Sequence, residues 1–211
     1  MKSRIYPVIV LASIFSLSAA AQDHDAYLRP VDGYLSSYGH NHYYLVAVRD
    51  ILVRAAADSP AIMVTLPSFS EESMVFIQPR DREVVVVSAT TTKQIWSTEK
   101  KDEIKVEQKE KVIKKEIADQ ICAVFALATS QTRYPKGGGF GVDGVTYQFS
   151  SFVTGIGVRA GQTWSPDPKT TCGMLVSLGE HMHSYVRGEI SAEKLELESR
   201  EILRILRINS K

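Results

Sequence analysis

The residues from Gly137 to Pro166, GGGFGVDGVTYQFSSFVTGIGVRAGQTWSP, leave this chain the fewest choices of fold. Val145, Tyr147 and Phe149 alternate with Thr146, Gln148 and Ser150, a period of two that suits a strand with one packed and one polar face. Asp143-Gly144 ahead of it predicts a two-residue hairpin turn, because a type I′ turn needs positive φ at both positions. Gly155 and Gly157 break or bend the next strand, which resumes through Val158 to Trp164. Ser165-Pro166-Asp167-Pro168 then forms a rigid exit. Antiparallel strands are therefore expected late in the chain, between helical segments.

The same glycines contain two nucleotide-like patterns. Gly139 to Gly144 matches G-x-G-x-x-G, and Gly155 to Ala160 matches its alanine-ended variant. A dinucleotide site needs a strand before the motif and a helix after it, so that amides and the helix dipole meet the pyrophosphate. Here the first match follows a helix and leads into a strand, and the second runs into Trp164-Ser165-Pro166. Neither carries the Gly-Lys-Ser/Thr of a phosphate loop, so no cofactor is expected.

Upstream, Asn41 can cap a helix from about His42 to Ala57, with Leu45, Val48, Leu52 and Ala55 on one face; Asp58-Ser59-Pro60 stops it. Ala61 to Leu66, Ser73 to Gln78 and Glu83 to Thr92 read as a three-stranded meander, since short loops favour antiparallel neighbours. Glu99 to Glu116 holds seven lysines and six acids. Alternating signs, with i,i+4 pairs at Glu107–Lys111 and Glu110–Lys114, predict a solvated helical face. It leads into a stripe at Ile113, Ile117, Ile121, Val124 and Ala128, so one long helix is expected from Glu107 to Ser130. After Pro168, Thr170 or Thr171 can cap a helix with Leu175, Leu178, Met182 and Tyr185 on its buried face and Gly188 as terminator. Ser191 can start a last helix carrying Leu195, Ile202, Leu206 and Asn209, with Arg200, Arg204 and Arg207 on its solvated side. The fold class is α+β: an antiparallel sheet, made of the meander and the later hairpin, packed with about four helices on one side.

Residues 1–21 read as an export signal. Lys2 and Arg4 precede an apolar run, and Ala19-Ala20-Ala21 meets the small-x-small cleavage rule, making Gln22 the expected mature N-terminus. Residues 22–211 are then one domain, long enough to bury a core. Loss of Lys2 and Arg4 leaves 23 basic residues against 24 acidic. That balance gives no electrostatic reason to propose nucleic acid or an anionic membrane as partner. No later stretch is apolar enough for a span of about 20 residues.

Export permits a disulfide between Cys122 and Cys172, whereas their apolar neighbours favour buried thiols; the sequence leaves both open. His40-Asn-His42 and His181-Met-His183 form two H-x-H pairs. On a strand i and i+2 share a face, but on a helix they diverge, which counts against the second pair as a chelating unit. One histidine from each pair, with Asp23, Asp25 or Glu180, could still assemble a metal site for a hydrolase. No serine sits in a G-x-S-x-G elbow. Recognition by aromatic residues is the reading the sequence favours, with Trp164, Tyr147 and Trp96 as candidates beside Tyr34, Tyr38 and Tyr43. Trp164 stands out because it lies at a strand end beside a proline-braced loop. The expectation is an exported, non-catalytic binding protein whose partner is another exported protein or a cell-envelope component; the alternatives are the metal-assisted hydrolase and a structural subunit of an envelope assembly.

Overall fold

The computed structural model describes residues 25–31, 42–134, 143–153 and 155–208, with the side chain of His42 excepted. Among these, seven strands form one antiparallel sheet and four α-helices pack against it or against one another, an α+β fold. The elements are β1 (Arg29–Pro30), α1 (His42–Ile51), β2 (Ala61–Pro67), β3 (Ser73–Pro79), β4 (Val84–Thr91), β5 (Val106–Ile113), α2 (Lys115–Ser130), β6 (Val145–Val153), β7 (Gly157–Trp164), α3 (Thr171–Arg187) and α4 (Ala192–Ile208). The strand order is β1-β7-β6-β2-β3-β4-β5. The meander and the hairpin thus join through β2 and β6, with Thr65 opposite Tyr147 and Met63 opposite Phe149.

Both faces of the sheet are covered, not one. Ala61, Met63, Val75, Ile77, Val86 and Phe149 point toward α2 and α3, and α4 closes over those two helices. Phe125 of α2 meets Phe149 edge to face, with ring centroids 5.4 Å apart. Ile62, Val64, Met74, Phe76, Val85 and Val87 point the other way, where Val48 of α1 and Leu52, Val53 and Ala56 just after it cover them. The end of this segment tightens into a 3₁₀ turn at Val53–Ala56. Residues three apart eclipse in that geometry, so Val53 and Ala56 go inward together. Ala55, expected to be buried, is exposed.

The largest correction concerns the charged segment. Residues 106–113 are not the start of a helix but the edge strand β5, paired along its length with β4 from Val84↔Ile113 to Thr91↔Val106. The run Val84 to Val87 needs a hydrogen-bonding partner on its free side, and β5 supplies it. Its charges then serve as edge protection, since charged side chains discourage further strand pairing. Arg80 forks onto Glu110 at 2.8 Å across the sheet edge, and Lys111 Nζ lies 4.3 Å from the centroid of the Tyr185 ring. The helix begins only at Lys115, and from there the expected stripe is buried.

A second correction moves the hairpin turn. Asp143-Gly144 precedes β6 and does not join two strands; β6 and β7 meet at the other end, with Val153 opposite Gly157. Gly155 (φ 80°) and Gly157 (φ 95°) adopt there the left-handed geometry that a side chain would strain. The later helices follow the sequence closely. Thr170 Oγ1 accepts the amide of Gly173 at 3.1 Å, and Gly188 ends α3 at φ 82°. Leu195, Ile202 and Leu206 of α4 are buried; Asn209 lies outside the described residues.

Candidate recognition surface

In an antiparallel sheet, β2 and β4 end and β3 and β6 begin at one rim, where β7 also ends. The connections leaving that rim carry Ser68, Phe69, Glu72, Gln94, Trp96, Gly144 and Trp164. Their organising group is Glu72, which is completely buried. A carboxylate in that position is costly unless it is hydrogen-bonded. Its Oε1 accepts the Tyr44 hydroxyl at 2.9 Å and the Trp96 amide at 3.4 Å. Its Oε2 accepts the Ile95 amide at 2.7 Å, with the Thr91 hydroxyl at 3.5 Å. The Glu72 carbonyl accepts the Thr91 amide at 3.0 Å. Burial first, and then the negative charge of Glu72, push the Tyr44 hydroxyl's pKa upward, so that hydroxyl stays a donor.

This network fixes the connection between β4 and β5 and, with it, Trp96. The Trp96 ring stands edge to face on Tyr44, centroids 5.2 Å apart at 85°, and is still 56% exposed. Phe69 is 80% exposed and Tyr43 is 87% exposed. A chain of bonds extends the same rim to Trp164. Gln94 Nε2 donates to the Ser68 carbonyl at 3.0 Å, and Ser68 Oγ donates to the Gly144 carbonyl at 2.9 Å. The half-buried Trp164 ring covers Gly144 so closely that a Cβ there would come within 2.7 Å of two ring carbons. Ser165, at φ 38°, holds the strained backbone conformation that follows, and its Oγ accepts the Val145 amide at 3.0 Å.

Of the aromatic residues singled out from the sequence, Trp96 and Trp164 therefore share one rim on the α1 side. Tyr147 faces the other way, half-buried against the core beneath α2 and α3. Its pKa is raised by burial and then by the charge of Glu180. Tyr34 and Tyr38 lie outside the described residues. Phe69 and Glu72 escaped the sequence reading. An aromatic residue in the polar loop SFSEES was a legible signal for the first; nothing local marks the second as buried.

The histidines are divided. His181 Nδ1 bonds Glu198 Oε2 at 2.8 Å on the α4 side, whereas His183 Nδ1 bonds Ser88 Oγ at 2.7 Å on the sheet side. The helix thus separates the pair, as its periodicity requires. His40 and the side chain of His42 lie outside the described residues, as does Asp23. Among the described residues no group of three or more His, Cys, Asp or Glu is placed to hold a metal ion. Cys122 and Cys172 are free thiols, so the bridge the sequence left open is not formed. Burial pushes each thiol up to about 12, well away from the thiolate a nucleophile requires. The Gly155–Ala160 pattern forms a hairpin end and enters β7, so it lacks the helix that a phosphate site needs. No helix among the described residues is long and apolar enough to cross a membrane. Comparison with protein-family models, with curated proteins and with solved structures finds no match.

Proposed function

We propose that this chain is an exported, non-catalytic binding protein, and that the aromatic rim of its sheet is the recognition surface. The partner class is another exported protein or a component of the cell envelope. The supporting observation is the contrast between exposed and fixed atoms at this rim. Tyr43, Phe69 and Trp96 offer large apolar surface to solvent, while the backbone beneath Trp96 is tied to the buried Glu72. Aromatic side chains on a preordered base lose little conformational freedom on binding, which is why such residues dominate interface energetics.

The test is a quantitative pull-down from envelope extract, followed by titration of the captured partner. Phe69→Ala removes a side chain that is 80% exposed, and Trp96→Ala one that is 56% exposed together with its edge contact on Tyr44; neither belongs to the two buried cores, so both variants should fold. Each is expected to weaken the captured partner about tenfold or more. A partner held equally well by both variants would place recognition elsewhere on the molecule.

A further inference from the structure

A second feature lies at the opposite end of the sheet, on the α1 side, and is independent of the aromatic rim. A cavity of about 270 Å³ opens between the end of α1 with its 3₁₀ turn and the β6–β7 hairpin. Val53 and Ile62 line its inner part, and Phe152 and Val158 form the hairpin wall. The last two are directly opposed across the strands and each is more than half exposed. Such a pair on a solvent-facing hairpin tip gains nothing for the core. Arg49 and Arg54 also line the cavity, while Asp50 between them does not. Each guanidinium gives one N–H to Asp50 Oδ1, both at 3.1 Å. Among the described residues these two cations share one anion, which leaves one positive charge without an ion-pair partner and several N–H donors toward an apolar cleft.

We infer that this cleft binds a single medium-length alkyl chain that ends in a carboxylate, the chain against Phe152, Val158, Val53 and Ile62 and the head on Arg49 and Arg54. Size sets the chain length. A cavity of about 150 Å³ accepts one benzene ring, so this one accepts roughly ten carbon atoms and falls below the usual range for larger ligands. Charge sets the head. A guanidinium fork matches a carboxylate through two parallel, charge-assisted bonds. An uncharged chain would gain nothing from those solvent-exposed donors, and a cationic one would be repelled.

Isothermal titration of the full-length chain with decanoate, octanoate, decanol and decyl phosphate tests this directly. Decanoate should bind once per chain, at least tenfold more tightly than decanol. Octanoate should bind about fifteenfold more weakly than decanoate, the product of two lost methylenes. Arg54→Gln alters a side chain that is 75% exposed and should fold normally. It should bring decanoate down to the level of decanol and leave decanol unchanged. Val158→Asp, also at an exposed position, should abolish binding of both. The inference fails if decanoate gives no saturable heat, if decanol matches it, or if either variant binds decanoate as the unaltered chain does. Tighter binding of decyl phosphate than of decanoate would overturn the carboxylate assignment.

Discussion

Glu72 and His183 are buried polar side chains on opposite sides of the same sheet, and their surroundings treat them differently. Both carboxylate oxygens of Glu72 are satisfied, by two backbone amides and the Tyr44 hydroxyl, with Thr91 close by. His183 meets Ser88 through Nδ1, but its Nε2 has no partner among the described residues. A fully satisfied polar group fixes the chain around it, because every alternative arrangement loses bonds in a medium of low dielectric. A half-satisfied one marks a weak point. The rim beneath Trp96 is therefore expected to be rigid, and the contact of α3 with β4 to weaken in acid.

Removing the Glu72 carboxylate breaks the comparison most severely. Glu72→Ala leaves the Ile95 amide and the Tyr44 hydroxyl buried without acceptors. It should cost about 4 kcal/mol of unfolding free energy, measured by urea titration. The next largest effect is the acid response of His183. Burial first, and then the positive charge of Arg187, lower its pKa from 6.5 to about 4. Between those values the folded chain binds fewer protons than the unfolded one. The group's contribution is therefore intact above pH 6.5 and is lost as pH falls toward 4, by about 3 kcal/mol in total. Urea titrations across that window should show the slope, and His183→Leu should remove this part of it. Tyr44→Phe is the mildest change. It deletes one hydroxyl bond to a charged acceptor and keeps the ring against Trp96, so about 2 kcal/mol should be lost in the same urea titration.

The sequence spoke clearly where one local cause acts alone. The cap at Thr170, the stripe Leu175, Leu178, Met182, Tyr185 and the stop at Gly188 belong to α3 whatever surrounds it, and the β-branched run from Val84 to Val87 could hardly be anything but a strand. It misled where the deciding cause is distant. Charges that alternate in sign suit a solvated helix and an edge strand equally well, so residues 106–113 were settled by β4's need for a partner. Asp143-Gly144 suits a hairpin turn, yet Gly144 sits between Ser68 and the Trp164 ring, a neighbourhood that only the closed sheet creates. Trp96 and Trp164 were legible as recognition candidates by residue type. Their shared rim was not, because it depends on β6 inserting beside β2. Glu72 was invisible for the same reason: its partners lie 19 to 28 residues away.

The Glu72 network holds an exposed aromatic surface in a fixed position, and amide hydrogen exchange reads this without a partner. The Ile95 amide, 2.7 Å from Glu72 Oε2, should exchange only through near-global unfolding, with protection within about 1 kcal/mol of the unfolding free energy. Exchange at Ile95 as fast as at an exposed loop amide such as that of Glu71 would contradict it, because the connection carrying Trp96 would then open on its own.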